Sequence, residues 1–198
     1  CDDLVGKIRH YGPKCRWIAV GGSIPPGLEA SVYAELTDLA HELGVSILVD
    51  ADGEALKLAA ARRPDMIKPN EDEAARFLGW TPERVHEEPI DALKGLESAA
   101  ETVVLTLGAA GAWLRNGDEV IHAVPPKIEV RSTIGSGDSL LAGLLFAHGQ
   151  DKSWADALAL GVACGAATAM TDGCEIARRP VIEELLPRVY VERVTIFS

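Results

Sequence analysis

Apolar positions along the chain form two kinds of run: short continuous ones bounded by glycine or aspartate, and longer ones that recur every three or four residues. RWIAVGG (16–22) is of the first kind and predicts a strand ended by glycines. LEASVYAELTDLAHELG (28–44) is of the second: Val32, Leu36, Leu39, Ala40 and Leu43 fall at helical spacing, and Gly44 stops them. VSILVD (45–50) predicts a second strand, GEALKLAAARRP (53–64) a helix ended before Pro64, and DMIKP (65–69) a short third strand. A helix follows from about Asn70 to Leu78, then GWTPERVHEEP as a connection, IDALKGLESAA as a helix and TVVLTLG (102–108) as a buried strand.

The order changes at Gly111. GAWLRNGDEVIHAV (111–124) reads as two alternating strands around Asn-Gly, the dipeptide that supplies the positive φ angles of a tight hairpin. Beyond Pro125 and Pro126, KIEVRST is placed as the last strand before helices at about Gly137–His148 and Trp154–Met170, and the β-rich ending RVYVERVTIF closes the chain. Repeated strand-helix units imply an α/β fold with a mainly parallel sheet, helices on both faces and an antiparallel hairpin edge. No repeat or low-complexity linker interrupts it, so residues 1–198 are read as a single domain. Ligands of such folds gather outside the carboxyl ends of the strands. Five strand ends carry suggestive residues: Gly21–Gly27, Asp50, Lys68–Glu73, Thr106–Gly111 and Thr133–Asp138.

Charge narrows the chemistry. Thirty acidic against 19 basic residues give a net charge of -11, with no Lys/Arg cluster to override it. Nucleic acid and anionic membrane surfaces are therefore excluded as partners, and any phosphate must be met by backbone amides, a metal ion and a few placed side chains. Cys1, Cys15, Cys164 and Cys174 lack C-x-x-C spacing and are expected as reduced thiols. With no apolar run of about 18 residues and no signal segment, a cytoplasmic location is expected. The chain opens at Cys1, without methionine, in a stretch that resembles the middle of a domain, and is read as a piece of a longer protein.

In RSTIGSGDSLLAG (131–143), Gly135 and Gly137 flank Ser136 directly before Asp138 and a helical run. Such a bend can turn successive N–H groups into one concavity at a helix start, an anion site that needs no lysine. Asp138 could there meet the acceptor hydroxyl of a phosphoryl transfer; the simpler reading is a helix-capping acid. Asn70 and Glu73 in KPNEDE share one helix face and could order waters around Mg²⁺, or could form a capping box. Glycines of TLGAAG (106–111) could admit a nucleotide or only turn the chain. GGSIPPG (21–27) could place Ser23 on a substrate phosphate or be a rigid Pro-Pro connection, and ALALGVACGAATAM (157–170) reads foremost as close helix packing. No P-loop, dinucleotide fingerprint or histidine metal spacing is present, which disfavours a nucleotide-dependent oxidoreductase.

Taken in order, GGSIPPG, VDADGEAL, IKPNEDE, TLGAAGA, VPP and STIGSGDSLLAG resemble the PfkB family of ribokinase-like carbohydrate kinases, in its phosphofructokinase and tagatose-6-phosphate kinase branch, from about residue 16 to the end. The resemblance implies a ribokinase-like three-layer α/β/α fold, with Asp138 as catalytic base and Gly135, Ser136 and Gly137 as the anion hole, Ser136 standing where alanine is commoner. It further implies Asn70 and Glu73 at Mg²⁺ and phosphate, and Lys68 beside the nucleotide phosphates. Thr106, Gly108 and Gly111 fall at ATP, Thr133, Val162 and Ala166 border the nucleotide, and Ser23 helps hold the sugar phosphate. Some relatives bind a monovalent cation near the loop before the base and the turn around Gly173. The family's N-terminal third, with its β-sheet lid and sugar-gripping aspartate, has no counterpart in the sequence. Two expectations result: ATP- and Mg²⁺-dependent phosphorylation of a ketohexose phosphate, by a parent that pairs as a homodimer, or a catalytically silent nucleotide-binding fragment or pseudoenzyme.

Overall fold

Apolar runs bounded by glycine and aspartate become parallel strands. The computed structural model describes residues 2–195 and divides into two units, the first ending at Leu105 and the second beginning at Thr106. Cys1 and the last residues of the β-rich ending, Ile196 and Phe197, lie outside the described residues.

The first unit runs α1 (Asp2–Tyr11), β1 (Trp17–Gly21), α2 (Val32–Glu42), β2 (Ser46–Asp50), α3 (Gly53–Ala60), β3 (Met66–Ile67), α4 (Glu71–Leu78), α5 (Pro82–Glu87), α6 (Pro89–Leu96) and β4 (Thr102–Thr106), the last strand reaching one residue into the second unit. Its strands pair in parallel in chain order, with Val20 opposite Val49, Leu48 opposite Met66 and Met66 opposite Thr102. Strands buried on both faces need apolar side chains at every position, and Ile47, Leu48, Val49, Met66, Ile67 and Leu105 are all at most 1% exposed. Helix faces close over them: Leu36, Leu39 and Ala40 of α2, Leu56 and Ala59 of α3, and Leu93 and Leu96 of α6 are buried. Each such leucine contributes about 1.5–3 kcal/mol on leaving water.

Three elements differ from the sequence reading. Helix α2 starts at Val32, because the prolines and Gly27 hold 22–31 as loop and Leu28 donates to the Pro25 carbonyl at 3.2 Å. The connection after Leu78 contains α5, which Thr81 caps through the Arg84 amide with Pro82 in the first turn. The charged opening stretch is the helix α1, fastened to α2 by a two-pronged Arg9–Glu42 ion pair at 2.8 and 3.0 Å.

The second unit holds β5 (Ala112–Asn116), β6 (Glu119–Val124), α7 (Ser136–His148), α8 (Trp154–Ala169), α9 (Arg179–Leu185) and β7 (Tyr190–Val194). The hairpin forms at Asn-Gly as expected, with Gly117 at φ +57°, and β7 adds an antiparallel strand to β6. KIEVRST is not a strand. Two prolines remove N–H donors at its start, and the Arg131 and Ser132 amides both donate to the Ala169 carbonyl at the end of α8, at 2.8 and 3.3 Å. That docking delivers the chain to the start of α7. The architecture is α/β with parallel strands and an antiparallel edge, as read from the pattern. Among the described residues no helix is long and apolar enough to cross a membrane.

Helices α7 and α8 are pressed together where α8 lacks side chains. A Cβ on Gly161 would lie 2.7 Å from the Leu140 carbonyl oxygen, and one on Gly165 would lie 3.0 Å from that of Ser136. Thr168 adds a hydroxyl bond to Ser139 at 2.8 Å. Small residues in ALALGVACGAATAM therefore set the height at which α7 begins. Gly161→Ala must push backbone aside and is expected to cost about 1–3 kcal/mol, read as a lower urea midpoint with unchanged slope; full stability would contradict the close-packing account.

Candidate functional site

At the head of α7, Gly135 takes the left-handed conformation (φ +73°) as the residue before the helix. The Ser136 amide closes a turn onto the Thr133 carbonyl at 3.2 Å, and the Gly135 carbonyl accepts from Ser139 at 2.9 Å. The amides of Gly135, Gly137 and Asp138 have no acceptor among the described residues. Of the four successive amides from 135 to 138, that of Ser136 is thus spent on the turn, and three remain open. The Asp138 carboxylate is exposed beside them in the first turn. The Ser136 hydroxyl is buried and has no hydrogen-bond partner among the described residues. Upstream, Ser132 donates to the Gly173 carbonyl at 2.9 Å and accepts from Ile134 at 3.3 Å. Arg131 reaches Asp172 at 3.3 Å. The loop before Asp138 and the turn around Gly173 are therefore one hydrogen-bonded ensemble.

The segment after β4 is a 3-10 turn, Gly108–Ala110, closed by Ala110 and Gly111 amides donating to Leu107 and Gly108 at 3.0 Å each. Gly111 sits at φ +89°, where an added Cβ would collide with the Ala123 carbonyl, so the close approach of this turn to β6 by itself requires glycine. Thr106 is half-buried and Gly108 exposed. Val162 (3% exposed) and Ala166 (7%) are interior residues of α8. Ala166 packs in a cluster with Ala163, Ala167 and Leu185.

Within the first unit, Lys68, Asn70 and Glu73 come together. Lys68 follows the short strand β3 and is 5% exposed, its ammonium 3.0 Å from the Asp50 carboxylate at the end of β2. Asn70 and Glu73 form a complete capping box: the Asn70 side chain accepts from the Glu73 amide at 3.0 Å, and Glu73 Oε2 accepts from the Asn70 amide at 2.8 Å. The capping alternative is therefore realised in full, with asparagine in place of the usual Ser or Thr. Burial pushes the Glu73 carboxyl up, and the Asn70 amide and the Lys68 charge oppose it, while Asp50 and Asp52 add to it. Asp52 caps α3 through the Gly53 amide and grips Arg76 at 2.9 and 3.0 Å. Ser23 is exposed in the loop after β1. That loop is held by the Gly22 amide on the Asp50 carbonyl (3.1 Å) and the Tyr33 hydroxyl on the Gly22 carbonyl (3.0 Å). Burial, and then the Asp50 charge, raise the pKa of that tyrosine.

Asp50 joins these residues although the motif reading singled out only its place at a strand end. The available signal was a carboxylate closing an otherwise apolar strand, VSILVD, which sequence alone does not pair with Lys68, eighteen positions on.

Parallel strands with an antiparallel edge define an α/β protein, with an amide-lined helix start beside an aspartate in the second unit and a buried Lys-Asp pair in the first. The model of the pfkB family carbohydrate kinases matches residues 13–180, and the chain belongs to that family. A 1-phosphofructokinase of Rhodobacter capsulatus is 40% identical over 142 residues, covering 66% of this chain and 42% of that protein. Another 1-phosphofructokinase, of Bacillus subtilis, is 31% identical over 176 residues, covering 89% and 57%. The chain thus spans about half the length of the curated relatives it matches. A Staphylococcus aureus structure described as a candidate phosphofructokinase superposes with a TM-score of 0.85 at 27% identity, covering 98% of this chain and 64% of that one. The Escherichia coli phosphofructokinase-2 solved with potassium gives 0.81 at 24% identity, covering 94% and 62%, and shares the fold. The fold is ribokinase-like, as the motifs implied.

Asp50→Ala leaves the Lys68 ammonium buried without this carboxylate, and removing one partner of a buried pair costs about 3 kcal/mol or more. Chemical denaturation of Asp50→Ala and of Asp50→Ala/Lys68→Met is expected to show the double variant recovering part of that loss. A single variant as stable as the parent chain would show that the pair is not held in the fold as described.

Proposed function

We propose that the chain carries the nucleotide-binding and catalytic part of an ATP-dependent kinase that phosphorylates a hydroxyl of a ketohexose phosphate. Fructose 1-phosphate is the first candidate, given the 1-phosphofructokinase relatives; fructose 6-phosphate and tagatose 6-phosphate are the others. The observation that carries the reading is the set of three open amides beside Asp138 in a chain of this family.

In-line phosphoryl transfer spreads charge over the equatorial oxygens of the moving group and asks chiefly for positioning and electrostatic stabilisation. Amides at 135, 137 and 138 stabilise that charge without reorganising, and the positive end of α7 adds to them. Asp138 orients the attacking hydroxyl and accepts its proton as the O–P bond forms and the bond to ADP breaks. A net charge of -11 is compatible with this chemistry, because main-chain dipoles rather than surface cations face the phosphate. In the second unit the Thr106–Gly111 turn takes the nucleotide; in the first, Lys68 is the candidate for nucleotide phosphate and Ser23 for sugar phosphate.

Among the described residues no three His, Cys, Asp or Glu side chains are grouped to cage a metal. Mg²⁺ keeps several of its waters and needs only one or two carboxylates, so it fits Glu73, whose Oε1 is not used in the capping box. Bound there through water, the ion would offset phosphate charge. A monovalent cation at the Ser132–Gly173 ensemble and a homodimeric parent belong to the same reading.

ATP binding by calorimetry and sugar-phosphate-dependent ADP release, measured on one sample, test the proposal: turnover with a ketohexose phosphate supports it, and binding without turnover supports a silent nucleotide-binding piece. Where turnover is present, Asp138→Asn is expected to lower it by about 10²–10⁴ with ATP affinity within a few-fold, and retained turnover removes Asp138 from the base role. Glu73→Gln keeps a capping acceptor and so should leave thermal stability nearly unchanged while raising the Mg²⁺ concentration needed for nucleotide binding. Because burial raises the Glu73 pKa, the folded chain holds that proton more tightly, and Mg²⁺-dependent binding should weaken as pH falls through the raised value. A magnesium titration identical in both proteins would count against the assignment.

A further inference from the structure

We propose that His122 is a positioning residue for the Gly108–Ala110 turn, tying it to Glu192 through both ring nitrogens only when both carry protons. The inference rests on the reading that this turn meets the nucleotide. Trp113 of β5, His122 of β6 and Glu192 of β7 lie directly opposite one another in the antiparallel register, one row across three strands. The Trp113 and His122 rings stack with centroids 4.1 Å apart and planes 10° from parallel, which fixes the imidazole plane. In that plane Nε2 lies 3.0 Å from the Ala110 carbonyl oxygen, and Nδ1 lies 3.2 Å from Glu192 Oε1. The other Glu192 oxygen accepts from the Tyr190 hydroxyl at 3.1 Å.

The turn spends its own groups internally. Its amides at 110 and 111 and its carbonyls at 107 and 108 bond one another, and the Gly111 carbonyl accepts from Leu107 at 2.8 Å. The Ala110 carbonyl points instead at His122. Both partners of the imidazole are acceptors, a carbonyl and a carboxylate, and neither has a hydrogen to give. Two bonds therefore require two N–H groups, which is the imidazolium form. Its charge is met by Glu192 and by the face of Trp113, a geometry that suits a cation over an indole. When one proton leaves, the ring keeps a single N–H, and one nitrogen lone pair must face an acceptor. Either the Ala110 bond or the Glu192 bond is then lost, and with it part of the constraint on the turn.

The ionisable groups that share this face are few. From β7 they are Glu192 and Tyr190, whose hydroxyl pKa is raised by its bond to Glu192 and then by the carboxylate charge, so it stays a donor. From β5 there is Arg115, two positions along from Trp113 and on the same side of the strand. The turn itself carries no ionisable side chain. Lower pH favours the doubly protonated ring, so the grip strengthens toward acid.

The discriminating variant is Glu192→Gln. A glutamine amide donates to Nδ1, so a neutral imidazole can keep Nε2–H on the Ala110 carbonyl, and the grip no longer depends on the second proton. Calorimetric titration of the 198-residue chain with the magnesium complex of a non-hydrolysable ATP analogue, repeated between about pH 5 and 8, reads this directly. The ratio of parent to Glu192→Gln affinity is expected to fall about fivefold or more as pH rises across that range. His122→Gln, which has a side-chain amide to offer the carbonyl but no titrating proton, should keep a constant affinity ratio to Glu192→Gln across the range. Nitrogen NMR of the imidazole without nucleotide should find protons on both ring nitrogens at the acidic end. Affinity profiles that superimpose in all three proteins would overturn the His122 inference and leave the kinase reading standing. Absence of nucleotide binding in all three would overturn both.

Discussion

A helix begins with N–H groups that it cannot pair within itself, and the structure leaves three of them open at one place. Around Gly135 the chain turns left-handed, the Ser136 amide closes the bend, and the amides of 135, 137 and 138 have no acceptor among the described residues. Such groups are costly to bury unpaired and are natural seats for an anion. The rest of the second unit keeps that bend in place. Ala169, at the end of α8, receives the chain before the bend, Gly165 lets the first carbonyl of α7 lie against it, and Thr168 pins Ser139. Small residues on α8 are thus the foundation of the bend.

The first unit solves a different problem, that of keeping a cation inside an acidic chain. With a net charge of -11, a lysine 5% exposed is tolerated because Asp50 stands 3.0 Å away. The same aspartate residue, through its main chain, anchors the Ser23 loop at Gly22. One strand end therefore fixes both a buried ion pair and a loop, and Glu73 is held in their electrostatic company by its capping box.

Much of this was legible in the sequence, and the failures share a cause. Strands β2–β4 announced themselves because buried parallel strands must be apolar throughout, the edge strand β1 by an apolar run ended by glycines, and the hairpin because Asn-Gly satisfies a backbone requirement few dipeptides meet. Gly135-Ser136-Gly137-Asp138 was readable for the same reason. What could not be read depended on distant partners. KIEVRST has strand-like composition, yet its amides go to the end of α8. Val162 and Ala166 are small and apolar, which fits a ligand wall and a helix interface equally, and sequence alone does not show that both are interior to α8. Asn70 and Glu73 satisfied a cap and a metal site at once by spacing, and the fold makes the cap explicit without removing the second carboxylate oxygen. Helix α5 was hidden in a short polar stretch, where the local Thr81-Pro82 cap was the signal passed over.

The account stands or falls on whether those three main-chain nitrogens receive phosphate. Amide NMR of the chain, titrated with magnesium ATP, addresses it directly. The resonances of Gly135, Gly137 and Asp138 should move downfield together and saturate with the calorimetric binding curve, while Ser136, already bonded to Thr133, moves least. Saturating nucleotide that shifts other residues and leaves those three where they were would contradict the account.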